Sequence, residues 1–151
     1  MKTTLFLLVL AAALQGQAPP NKFAGDSRAD PPVTRDDVRI VQRAKQILSS
    51  PAQWNRADTR MCPADAKTFS MYCAIEKATD EVSGNFEHRG AAMQQARFVI
   101  DEITRNRDYQ HRLMDYNNDP TTTFADVQKV FQLVEDRIAQ RLKEQAAAGK
   151  K

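Results

Sequence analysis

The chain reads as all-α: a single small helical bundle of four main helices and one short helix, tied by one disulfide. Three observations carry that reading. Apolar residues recur at steps of three and four in four separate stretches, the period of a helix with one buried face. Two Thr-x-x-Asp sequences, at Thr34–Asp37 and Thr123–Asp126, stand directly before two of those stretches, as helix N-caps do. Alternating β-branched runs and the Asn-Gly or Asp-Gly dipeptides of tight hairpins are missing. The 151 residues suit one domain and are too few for two ordinary ones.

Behind Thr34, the residues Val38, Val41, Ala44 and Leu48 form the first stripe, widened by Ile40 and Ile47. Ser49-Ser50-Pro51 ends it, because proline disfavours helical geometry in the residue before it. Residues 51–65 hold Trp54 and Cys62 among polar residues and two prolines, which predicts an ordered loop. A second helix is expected over about residues 64–82, with Phe69 one turn from Cys73 and with Met71, Ile75, Ala78 and Val82 beside them. Gly84 is its stop, and Asn85 is able to cap the next helix. The third helix is expected over about 86–106, along Met93, Ala96, Ile100 and Ile103. A short helical piece comes next, around 110–116, and then Asn117-Asn118-Asp119-Pro120 signals a turn. The last helix carries Phe124, Val127, Phe131, Val134 and Ile138. The helical domain thus covers 35–143, with 144–151 as a disordered Ala-rich tail.

Residues 1–18 have the layout of a secretory signal peptide: Lys2, ten apolar residues over 5–14, then small residues to Ala18. That core is too short to span a bilayer as a helix. Residues 19–34, with four prolines, read as a flexible linker. An exported chain with two cysteines is expected to join Cys62 to Cys73, and closing a loop of that size is worth about 3 kcal/mol. The expected location is the periplasm or the extracellular space.

The formal charge of +3 is small and its two signs are interspersed, unlike the concentrated basic stripe of a nucleic-acid binder. The sequence has no Gly-rich phosphate loop, no G-x-S-x-G and no HExxH. No cofactor or metal is implied, and no stable membrane insertion. The candidate chemistry is therefore sparse. His111 lies near Asp108, Asp115 and Asp119, and His88 comes directly after Glu87; a histidine beside carboxylates suits general-base work or metal ligation, or else a plain hydrogen bond. Trp54, Asn117 and Asn118 are candidate binding residues. Each has a structural alternative: Trp54 as a core plug with its N–H satisfied, the asparagines as turn and capping groups.

Trp54, the Cys73-Ala74 step opening a helix, Asn117-Asn118-Asp119, and Thr123-Phe124-Ala125-Asp126-Val127 together resemble a family of uncharacterised small helical bacterial domains. The likeness runs over roughly residues 38–138. It implies a fold and no established activity. The signal layout and the second cysteine, Cys62, depart from the family pattern. The leading expectation is an exported non-catalytic helical protein that binds a protein or a small ligand. One alternative is a small periplasmic hydrolase or metal-dependent enzyme using His111, Asp115 and Asp119, with His88; another is a secreted effector or toxin.

Overall fold

In the computed structural model, described over residues 30–105 and 107–149, the chain forms five α-helices and, among those residues, no strand. They are α1 (Arg35–Ile47), α2 (Met71–Ser83), α3 (Ala91–Ile103), the short α4 (Arg112–Asn118) and α5 (Phe124–Ala148), with a turn of 3-10 helix at Pro51–Gln53. The first helix packs chiefly on α2 and α5, α3 packs on α5 and α4, and α4 bridges α2 to α3. The core is where the apolar stripes meet: Val41 and Leu48, Met71 and Ile75, Ile100, Phe131 and Ile138 have lost essentially all contact with solvent. Removing such side chains from water drives the assembly, at about 1.5–3 kcal/mol for each large one. Residues 1–29, and with them the signal peptide and most of the linker, lie outside the described residues.

The expected disulfide is present, Cys62 to Cys73 with Cα atoms 5.3 Å apart. It joins the long loop to the first turn of α2. That helix starts at Met71, seven residues later than expected. Phe69 fits the apolar stripe, but its backbone is taken by another partner: its N–H donates to Gln53 O and its carbonyl accepts from Asn55 N. The isolated bridge between Trp54 and Phe69 holds this segment extended. Ser70 then caps α2, its Oγ accepting from Cys73 N at 3.2 Å. At the other end Gly84 adopts φ +73°, the left-handed stop that glycine takes without strain.

The third helix is also shorter than its periodicity, beginning at Ala91 where 86 was expected. Its N-cap is Gly90, which has no side chain to offer. A carboxylate from elsewhere fills that role. Asp37 is buried; its Oδ2 accepts from the Thr34 N–H and hydroxyl at 2.7 and 2.8 Å, while its Oδ1 accepts from Ala92 N at 2.9 Å. One side chain therefore closes the N-termini of two helices, where unpaired N–H groups and the positive end of the helix dipole favour an anion.

Two further boundaries move. The short helix covers Arg112–Asn118 in place of 110–116, so both asparagines fall in its last turn and the chain reverses at Asp119. The final helix does not end near 143 but continues to Ala148, 25 residues or about 37 Å in all. The reason lies in the segment expected to be free linker. Val33 is buried, and Gln145 holds it by both backbone groups, accepting its N–H at 2.9 Å and donating to its carbonyl at 2.8 Å. Asp30 adds an ion pair with Arg141 and accepts from Gln95. Asp30 and Val33 are thus held against α5, not loose.

Asp37→Ala should lower stability by about 2 kcal/mol, since it strands donors at two helix starts. Asp37→Asn, which keeps one acceptor, should fall between wild type and Asp37→Ala in urea denaturation midpoints.

Candidate functional site

The polar residues that stand out in the sequence divide into a frame and a hollow. The frame is built on Asn117, which is fully buried. Its Oδ1 accepts from the Trp54 indole N–H at 2.8 Å and from Met71 N at 3.0 Å. Its Nδ2 donates to Asn55 O at 2.9 Å and to Asn118 Oδ1 at 3.1 Å. All four hydrogen bonds of the amide are made. Asn118 extends the pattern by bonding both backbone groups of Asp58, at 2.7 and 2.9 Å. Trp54 is half-buried, 6.2 Å from the Phe124 ring centroid, and the Arg56 guanidinium lies 5.0 Å above its ring.

Asp119 belongs to a separate network. Its carboxylate accepts from Arg107, from the Tyr109 hydroxyl at 2.7 Å, and from both the hydroxyl and N–H of Thr121. The Thr121 and Tyr109 hydroxyls, with the Thr121 amide and Arg107, hold its carboxyl well below the usual carboxylate range. Asp115 turns back on its own helix and accepts from His111 N at 2.7 Å. So the four candidates of the enzyme reading do not gather: His111 and His88 share one hollow, while neither Asp115 nor Asp119 lines it. Among the described residues, no group of three or more His, Cys, Asp or Glu is placed to share a metal ion.

That hollow is the candidate site. It has a volume of about 300 Å³ and lies among α2, α3, α4 and the loop before α2. Arg60, Tyr72, His88, Arg97, His111 and Arg112 line it, with Gln110 at the edge and Leu113 and Met114 as its apolar part. None of the described lining residues is acidic. Two of the guanidinium groups are deeply placed. Arg97 is 6% exposed and donates to His88 O at 2.9 Å and to Gln94 Oε1 at 2.5 Å. Arg112, its side chain 2% exposed, is ion-paired to Asp101 of α3 at 2.6 Å.

His88 is held from two sides. Its Nδ1 is 3.1 Å from the Tyr72 hydroxyl, and the rings are 5.8 Å apart. One Arg97 nitrogen lies 2.9 Å from Nε2 and 3.4 Å from Nδ1. Such similar distances to both ring nitrogens put the guanidinium over the imidazole face, a stacking that arginine favours. Burial pushes the Tyr72 hydroxyl pKa up, as does Glu76, against the pull of Arg97 and Arg60. The phenol therefore stays a neutral hydrogen-bonding group. Across the opening, Arg60 has φ +60°, and its N–H donates to Asp58 Oδ1 at 2.7 Å. Asp58 itself is buried, with Oδ2 lacking a hydrogen-bond partner, and burial raises its pKa.

Arg60, Tyr72 and Arg97 do not stand out in the sequence. A signal exists for one of them. Arg97 stands four residues after Met93 and three before Ile100, so it is a charge on an apolar stripe.

Residues 32–137 match the family of unknown function DUF6197. The chain belongs to that family, in agreement with the resemblance read from the sequence. No curated protein and no solved structure matches it. No helix among the described residues is long and apolar enough to cross a membrane.

Asn117→Ala should cost about 3 kcal/mol or more, because the Trp54 and Met71 N–H groups lose their acceptor in a buried place. Asn118→Ala, at an exposed position, should cost about 1 kcal/mol; chemical denaturation of the pair checks the order. Asp119 supplies a pH test. A carboxyl lowered by folding adds stability above its unfolded-state value near about 4, and that contribution disappears as pH falls through the lower folded-state value. The stability gap between wild type and Asp119→Asn should be flat around neutrality and shrink on acidification below about pH 4.

Proposed function

We propose that this is an exported, non-catalytic helical protein that binds a small ligand in the hollow among α2, α3 and α4. The observation that carries the reading is convergence. His88 and His111, 23 positions apart, line one concave space with arginines and a tyrosine from three helices and a loop. Concave sites with a few converging polar groups and some apolar wall are the usual form of small-molecule sites. Binding is favoured over hydrolysis because Asp115 and Asp119, the carboxylates of the enzyme reading, serve as a helix brace and a loop anchor. The hydroxyl in the hollow that reaches a histidine, Tyr72 at 3.1 Å from His88 Nδ1, has its pKa pushed up by burial, which works against the phenolate that covalent catalysis would need. Export rests on the signal layout of residues 1–18, with the disulfide in agreement.

Two measurements test this. Expressed with its own N-terminus in a bacterial host, the protein should be recovered from the periplasm or medium with a first residue between 14 and 19; intact Met1 in the cytosol would overturn export. In a fragment screen by protein-observed NMR, hits should shift His88 and His111 together. A diverse library that moves neither would overturn the binding site.

A further inference from the structure

We infer that the ligand of this hollow is a small organic oxyanion, a molecule carrying a carboxylate or phosphate on a compact apolar body. The inference rests on the hollow being a binding site and names what it binds. Three arginines, Arg60, Arg97 and Arg112, line a space that has no described acidic lining residue, although Asp101 pairs with Arg112 from outside that lining. Guanidinium only donates hydrogen bonds, and its planar fork matches carboxylate and phosphate oxygens. The Tyr72 hydroxyl and the His111 ring add further hydrogen-bonding groups to the same wall.

Burial strengthens the argument. An arginine left at the surface costs nothing, whereas Arg97 and Arg112 sit almost wholly inside the protein. Their positions are fixed by contacts on the protein side: Asp101 behind Arg112, the His88 carbonyl and ring and the Gln94 amide around Arg97. A side chain held this way has little rotamer freedom left to lose when an anion arrives. In a partly enclosed space its charge is also screened less than at the surface.

The loop contributes the third cation in an unusual backbone state. Arg60 is the one described non-glycine residue with positive φ, a conformation that side chains other than Asn and Asp seldom adopt. The surrounding contacts impose it: Asp58 Oδ1 holds the Arg60 N–H, and Asn118 holds Asp58. The strained residue is the one that faces the hollow from the loop side. Leu113 and Met114 give the space an apolar part, and about 300 Å³ sets a small ligand.

The probes are phenyl phosphate, benzoate and the neutral analogue benzamide, titrated by calorimetry and by NMR at fixed ionic strength. At least one of the two anions should bind at least about tenfold more tightly than benzamide and shift His88 and His111; the tighter anion identifies the oxyanion. Arg60→Asn removes the cation and keeps a side chain that accepts positive φ. It should weaken anion binding about tenfold, as loss of one charge-assisted hydrogen bond does, and weaken benzamide binding by clearly less. Arg97→Gln should weaken it further; if that variant does not fold, Arg60→Asn decides alone. Benzamide binding as tightly as the anions, or anion affinity unchanged in Arg60→Asn, would overturn the oxyanion while leaving the hollow as a binding site. Failure of every probe and of the fragment library to shift His88 or His111 would overturn both.

Discussion

The side chain of Asn117 is the joint on which the functional half of the molecule turns. A single buried amide fastens the last turn of α4 to the indole of Trp54, to the first residue of α2 and to the backbone of Asn55. The Met71 N–H would otherwise be a buried donor without a partner, and the Trp54 and Asn55 groups half-buried polar atoms without one, so the bonds matter more by their absence than by their sum. The consequences reach well beyond the contact. With Trp54 fixed, the chain at Phe69 pairs beside it and α2 is delayed to Met71. With Asn118 carried alongside, Asp58 is gripped by both its backbone groups, and the turn that presents Arg60 is set. The disulfide from Cys62 to Cys73 then closes the far side of the same loop.

The other half of the molecule is governed by one carboxylate. Asp37 is shared between the starts of α1 and α3, so the relative height of these two helices is fixed by a pair of bonds and not by packing alone. That matters for the hollow, because Arg97 lies on α3 and Tyr72 on α2, which packs on α1. Two polar joints, one at each end of the bundle, hold the walls of a space whose apolar contacts would permit sliding.

How much of the molecule is legible in the sequence depends on the range of each interaction. The helices α1 and α5 are legible at their N-termini because Thr34 with Asp37, and Thr123 with Asp126, are local pairs. The stop at Gly84 and the disulfide are legible for the same reason. The starts of α2 and α3 are not. Phe69 keeps the helical period yet spends its backbone on residues far back in the chain, and the cap of α3 comes from Asp37, 55 residues before Ala92. The site divides in the same manner. His88 and His111 are visible as chemistry, but their shared hollow depends on α3 and α4 meeting through Arg112 and Asp101. Arg60 is a plain surface residue in sequence, and only the grip of Asn118 on its loop makes it part of a wall.

The clasp of Gln145 on Val33 brings the beginning and the finish of the folded region to one corner. Asp30 reaches Arg141 at the same place. The fold is therefore a nearly closed ring of chain, and its linear order is not what defines it. A short flexible connector from Gly149 to Asp30, with the chain opened instead at the exposed turn around Gly84, would preserve every joint described above. By the same geometry, cargo or an anchor fused at either end would hang from a single point, like a bead on a loop of thread.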